Sequence, residues 1–445
     1  MKQTSRIIST YSADVMGVCS ALFELGGMTI MHDASGCNST YTTHDEPRWY
    51  DMDSMVYISA VTEMEAIMGD DEKLLGDIED AVRELHPKFV AIAGTPIPTM
   101  TGFDFESVAK VAEQRTGVPC FGFPTTGMNT YVHGASMAFE GLAKRIVKDP
   151  KPATKAASES SDGRLSDESA AGTGNSAKVN IIGLTPLDFS VNGTEASICE
   201  WLESEGFEIV SRWAMGSALD EIAMAGEADV NLIVSASGLA AAKVLYERFG
   251  TPYVIGLPIG EDLKEMISEA IKDLAEERRL IHEKKEAIWH NKRKPAEDQM
   301  PACADSTELW PGESIYPKQD LRFDLPDHGA DDNSLKDIVI IGEGVTSLAL
   351  ASAIELETGR DAVVLCATEC PEHILRPKDR MTPDEDDIIP ELEGAKCIIA
   401  DPLYRPICPP EAEFIRFPSE AFSGRLYRDE IPNIIDEPDT ILKRL

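Results

Sequence analysis

Two cysteines stand where a thiol could do chemistry. Cys37 lies in "MHDASGCNST" (residues 31–40), just after an apolar run, Met28 to Met31, that stops abruptly. Structural cysteines usually sit inside such a run as small hydrophobes. One placed just past it, in a small polar turn, is free to face a ligand. Gly36 lets the backbone approach an object closely, with no side chain in the way. Cys19 lies in "DVMGVCSALFELGG" (14–27), where Asp14 could cap a helix that ends at Gly26–Gly27. In the first turn of that helix, Cys19 could face the same spot. Thiolates ligate iron–sulfur clusters, and a cubane cluster takes four of them. Two per chain suffice if a twofold axis, or a related partner subunit, brings the other two. The plainer alternative is that both thiols only pack. His32, ahead of the loop, either hydrogen-bonds the loop or a cluster sulfide and tunes its potential, or is a satisfied histidine at a strand end.

Other segments carry weaker signals. "TTGMNTYVHGAS" (125–136) follows a strand end and holds Asn129, Tyr131 and His133. Tyr131 or His133 could donate a proton to a reduced substrate; the alternative is an ordinary surface loop. Gly342-x-Gly344-x-x-Ser347 is close to the dinucleotide fingerprint, in which glycines let a pyrophosphate reach a helix N-terminus. Its third glycine is Ser347, and the acid expected at the end of the next strand is Cys366, so a structural strand–turn–helix is the better reading. Cys366 and Cys397 fall inside apolar runs, and Cys370 and Cys408 lie near prolines in loops. No C-x-x-C zinc pairing joins them, and all four are read as non-ligands. A P-loop is absent from the sequence, so any ATP hydrolysis belongs to a partner.

These residues need strand ends to hold them. Short apolar runs alternate with longer amphipathic ones, the pattern of β-α-β units and parallel sheets. One group holds "MTIMH" (28–32), "FVAIAG" (89–94) and "PCFGF" (119–123). A second holds "VNIIG" (179–183), "FEIVS" (207–211), "NLIVS" (231–235) and "YVIGL" (253–257). The third holds "DIVIIG" (337–342), "AVVLC" (362–366), "KCIIAD" (396–401) and "EFIRF" (413–417). The runs are continuous, as in strands covered on both faces. The predicted fold class is α/β, with three Rossmann-like domains and parallel sheets: residues 1–150 with the cluster cysteines, 178–261, and 336–445 with the C-terminal tail. Residues 151–177, poor in apolar residues, read as a flexible linker or loop. Residues 262–335 read as a long charged helix (262–293) and an irregular connection.

Composition narrows the function classes. The 445 residues allow about three domains. No apolar run reaches the roughly 18 residues that span a bilayer, and the N-terminus lacks the apolar core of a secretory signal; the expectation is a cytoplasmic protein with no membrane partner. Nine scattered cysteines point to reduced thiols, not a disulfide framework. With 41 basic and 78 acidic residues the net charge is −37, which repels phosphate backbones and argues against nucleic acid as a partner.

"IMHDASGC" (30–37) resembles the His-x-x-x-Gly-Cys cluster loop of nitrogenase component 1 subunits. Residues 62–109, "PCFGF" (119–123), "NLIVSASGLAAAKVLYERFGTPYVIGLPIG" (231–260) and "EAFSGRLY" (420–427) also resemble that family, in its order and nearly end to end. The resemblance implies three domains around a central cleft lined by the 125–136 loop. It implies that Cys19 and Cys37 are metal ligands and that Gly36, His32 and Thr95 border the cluster. Thr95 stands at the family's third cluster-cysteine position, and a hydroxyl is a poor iron ligand, so a smaller cluster is expected: one 4Fe–4S cluster shared across a subunit interface. Ser235 and Pro418 stand where the family's cofactor cysteine and histidine would be, so an iron–molybdenum cofactor lacks its ligands. The implied function is a nitrogenase-like oxidoreductase subunit, in a homodimer or a heterodimer with a related subunit. It would pass electrons from an ATP-dependent iron protein to a small organic or tetrapyrrole-type substrate. One alternative is a scaffold for metal-cluster or cofactor assembly without turnover; another is a nucleotide-binding regulator using residues 342–347.

Overall fold

The continuous apolar runs become strands of three parallel sheets. The computed structural model describes residues 7, 13–36, 46–150, 176–292, 320–321, 337–371 and 373–445. Cys37 and most of the two segments at 151–177 and 293–335 lie outside the described residues.

The first sheet has the order β2-β1-β3-β4, from β1 (Met28–Met31), β2 (Met55–Ile58), β3 (Val90–Ala93) and β4 (Cys120–Phe123). Every pair is parallel. The central strands β1 and β3 are buried throughout, whereas the edge strand β2 is largely part-exposed. The sequence reading passes over β2, whose alternate residues are part-exposed or exposed. Its helices are α1 (Asp14–Leu22), α2 (Glu63–Met68), α3 (Glu72–Leu85), α4 (Pro96–Thr101), α5 (Phe105–Thr116) and α6 (Tyr131–Arg145).

The second sheet runs β6-β5-β7-β8-β9, from β5 (Lys178–Leu184), β6 (Glu208–Ala214), β7 (Val230–Ile233), β8 (Tyr253–Ile255) and β9 (Asp320–Leu321). It is dressed by α7 (Pro186–Phe189), α8 (Thr194–Ser204), α9 (Leu219–Ala223), α10 (Leu239–Phe249) and the long charged α11 (Gly260–Lys292). The third sheet runs β12-β11-β10-β13-β14, from β10 (Ile338–Gly342), β11 (Ala362–Cys366), β12 (Arg380–Met381), β13 (Cys397–Ala400) and β14 (Glu413–Arg416), with α12 (Gly344–Thr358) after β10. One core joins α1 and α6 to the second sheet and to Val345, Cys366 and Cys370 of the third unit. Another fills the space between the second and third sheets.

α1 and α6 cross at two glycines. A Cβ on Gly17 would lie 1.9 Å from the Tyr131 carbonyl oxygen, and one on Gly134 would lie 1.7 Å from that of Asp14. This crossing corrects two sequence expectations. Asp14 does not cap the helix: Ala13 holds that position. The Asp14 carboxylate instead accepts bonds from the Gly127 and Thr126 amides (2.7 and 2.9 Å) and from Asn129 Nδ2 (3.1 Å). It has been drawn off to pin the loop after β4. Cys19, the sixth residue of α1, sits in the second turn rather than the first.

Candidate functional site

The first locus is the carboxyl end of the first sheet, where ligands of parallel α/β folds bind. β1 ends at Met31 and delivers His32 there. The His32 amide donates to the Ala93 carbonyl (2.9 Å), and its Nδ1 lies 2.9 Å from Ser59 Oγ. The ring packs on Phe103 with centroids 4.2 Å apart. Burial pulls its pKa down to about 4, so the imidazole is neutral and serves as a hydrogen-bonding group. Thr95, fully buried, donates its hydroxyl to the His32 carbonyl (2.9 Å). It fastens the strand end and is not free to ligate. A side-chain carbon at Gly36 would meet nothing within 4 Å.

Cys19 is fully buried in the α1–α6 core. Burial raises its thiol pKa and the Glu46 carboxylate adds to the rise, so the thiol keeps its proton unless a metal displaces it. Beside it Arg48 is held by Glu46 (2.6 Å), Glu24 (2.9 Å) and the Ser20 carbonyl (2.8 Å). The described residues thus offer an iron–sulfur cluster one sealed thiol and one neutral imidazole, and the second sequence-predicted thiol belongs to the segment 37–45.

The second locus is where the three sheets meet. Tyr131, at the start of α6, is buried and donates its hydroxyl to Asp188 of α7, which also accepts from Thr185 Oγ1 (2.7 Å). His133, two residues on, is exposed; the two candidate proton donors therefore do not share surroundings. Burial, with the neighbouring Glu343 carboxylate, pushes the Asp188 pKa up to about 7, while bonds from Tyr131, Thr185 and Ser235 pull it down. Glu343 is likewise raised by burial. It accepts from the Ala236 amide of the second unit and the Thr346 amide of its own (both 2.9 Å). Its carboxylate thus occupies the N-terminus of α12, where a bound pyrophosphate would sit. Glu420 receives Ser190 Oγ (3.1 Å) and Arg428. A cavity of about 40 Å³ remains, lined by Asp188, Gly342, Glu343, Thr346, Ser347 and Pro418 among others. That is room for one or two waters. Ser235 is fully buried and bonded to Ser237 (3.0 Å), and Pro418 has no side-chain donor. An iron–molybdenum cofactor does not fit this junction.

Sequence reasoning found Tyr131 but missed Asp188, Glu343 and Glu420. The one available signal was Glu343, an acid standing between the two glycines of a phosphate-binding pattern.

The family model for nitrogenase component 1 type oxidoreductases matches residues 14–308. The chain belongs to that family. Among component 1 type relatives, the nitrogenase iron-molybdenum cofactor biosynthesis protein NifE of Clostridium pasteurianum is 25% identical over 193 residues, 43% of this chain and 37% of that protein. The nitrogenase molybdenum-iron protein alpha chain of Methanosarcina barkeri is 22% identical over 244 residues, 53% of this chain and 41% of the relative. The chain thus spans less than half the length of these curated relatives. The solved structure of nitrogenase Cp1 at pH 5 superposes over 100% of this chain and 90% of its own, with a TM-score of 0.58 at 13% identity. The component 1 fold is therefore shared. No described helix is long and apolar enough to cross a membrane.

Proposed function

We propose that this chain is a component 1 type scaffold subunit, which holds a metal–sulfur cluster as cargo during cofactor assembly and does not turn over a substrate. The observation that carries this is the likeness to cofactor biosynthesis proteins of the family. The molecule's own residues agree. The junction that would house a resident cofactor is packed down to about 40 Å³ and offers Ser235 and Pro418 in place of donors. By the family resemblance, Cys19 and Cys37 are the ligands this chain contributes to the cargo and a component 1 type partner supplies the rest; Cys19 is fully buried in the α1–α6 core, so loading the cargo must uncover its thiol. Gly36 leaves room for its approach, and Thr95 and Ser59 hold His32 rigid beside it.

A second reading, a reductase fed by an ATP-dependent iron protein, draws on one feature. Asp188 near neutrality is suited to proton transfer. Anaerobic purification with iron and sulfide analysis and EPR, on the wild type and on Cys19→Ala and Cys37→Ala, tests the shared premise. Iron bound by the wild type and lost in both variants is the expected result; an iron-free wild type prepared without air overturns it. Radiolabelled iron then separates the readings: a scaffold hands its label to an acceptor protein once, whereas a reductase consumes reductant over many turnovers with its label retained.

A further inference from the structure

Two thiols that the cluster reading leaves unused share one small space. Cys366 ends β11, and Cys370 lies four residues on, in the loop that follows. Both are buried. A Cβ on Gly344, the first residue of α12, would lie 2.6 Å from Cys370 Sγ and 3.4 Å from Cys366 Sγ. The two sulfurs thus crowd the hollow that this glycine leaves. A hydrogen bond to Cys366, with burial and the Glu343 carboxylate, raises the Cys370 thiol pKa. Among the described residues no group of three or more His, Cys, Asp or Glu side chains could hold a metal ion. A dithiol without a third ligand is better suited to forming a disulfide than to holding a metal.

The loop between the two cysteines carries a contact to another unit. Glu369 accepts from the Thr130 amide (2.8 Å) and from the Thr130 hydroxyl. Thr130 is the residue that leads into α6, the helix that crosses α1. Just beyond Cys370, Ile374 and Leu375 pack into the core that holds both helices. We infer that Cys366 and Cys370 are a reversible dithiol–disulfide pair, closed by a low-molecular-weight disulfide, and that closure fixes the 366–370 loop and with it the Glu369 anchor of α6. Cys370 is the entry point, at 5% exposure against 0% for Cys366. Its thiolate attacks one sulfur of RSSR and expels RS⁻, leaving a mixed disulfide. The Cys366 thiolate attacks the Cys370 sulfur of that bond and expels the second RS⁻. Two cysteine thiols are oxidised to one disulfide, RSSR is reduced to two RSH, and the two cysteine protons end on those thiols. Cys370 keeps its proton while the loop is packed, so the exchange waits on local opening. The inference uses no cluster ligand and goes beyond the scaffold reading rather than resting on it.

The test treats the reduced full chain with glutathione disulfide, alkylates the remaining thiols and weighs the tryptic peptide 361–378, which holds both cysteines. The expected peptide is unalkylated and two hydrogens lighter, and dithiothreitol restores it. Its rate of formation levels off as the oxidant is raised, because opening becomes limiting. Amide exchange in the first turn of α6 slows about threefold or more on closure. In Glu369→Ala the bridge still forms but that slowing is lost. In Cys370→Ala, with its fold checked by melting temperature, the same oxidant produces neither bridge nor slowing; if that variant fails to fold, the wild-type peptide mass decides the bridge alone. Four results overturn the proposal. They are full alkylation of Cys366 and Cys370 after the half-buried Cys199 has taken up glutathione, a lasting glutathione adduct on Cys370, a bridge from either cysteine to any other, and a closed bridge with α6 exchange unchanged. A wild type prepared without air that binds no iron and still closes the bridge as expected supports the pair while sinking the cluster reading.

Discussion

At the scale of single residues, the buried carboxyls at the three-sheet junction have the clearest measurable consequence. Asp188 holds its proton up to about pH 7 in the folded chain because burial and Glu343 disfavour its charge, whereas in the unfolded chain it ionises near 4. Between those values the folded state binds the extra proton, so stability falls as pH rises from about 4 to about 7 and stays reduced above. Asp188→Asn keeps an oxygen to accept from Tyr131 and removes the ionisation. The variant should melt with the wild type at pH 4 and above it at pH 8, the gap opening across that window. A gap independent of pH would show that the carboxyl does not titrate there. His32 works in the opposite sense. Its pKa is depressed to about 4 by burial, so its contribution is present above about 6.5 and lost as pH falls toward 4.

At the scale of elements, the α1–α6 crossing is what places Cys19 and Tyr131. It depends on two positions where no Cβ fits, Gly17 and Gly134. Gly134→Ala should lower the denaturant midpoint by about 2 kcal/mol in stability or more, since the obstacle is backbone that cannot rotate away. Gly17→Ala meets the same crossing from the other side. The double variant should therefore lose less than the sum, because helices already parted by one methyl yield more cheaply to the next. Gly76→Ala on α3 is the control: nothing lies within 4 Å of the new carbon, and the change should gain up to about 1 kcal/mol from helix propensity.

At the scale of the whole molecule, charge is the dominant quantity. A net −37 spread over one chain repels itself, and that repulsion is screened over about 10 Å at 0.1 M salt. Raising sodium chloride from 20 to 500 mM should raise the melting temperature by several degrees. A flat or falling response would mean that local ion pairs such as Arg48 with Glu24 and Glu46 outweigh the overall field. The three sheets are tied at their shared centre by carboxylates that reach across units: Asp188 to Tyr131, Glu343 to the Ala236 amide, and Glu369 to the Thr130 amide (2.8 Å).

The sequence by itself determined the α/β class and nearly every central strand, because a strand covered on both faces must be apolar along its length, a local property. It also determined the family, through motifs kept in order from the cluster loop to "SGRLY". Tertiary structure alone decided that Asp14 pins a loop instead of capping its helix, that Cys19 is sealed in a core, and that Tyr131, Asp188 and Glu343 converge from three units. Spacing along a chain reports neighbours a few residues apart. Which distant side chains meet, and which are left uncovered, depends on how the sheets pack.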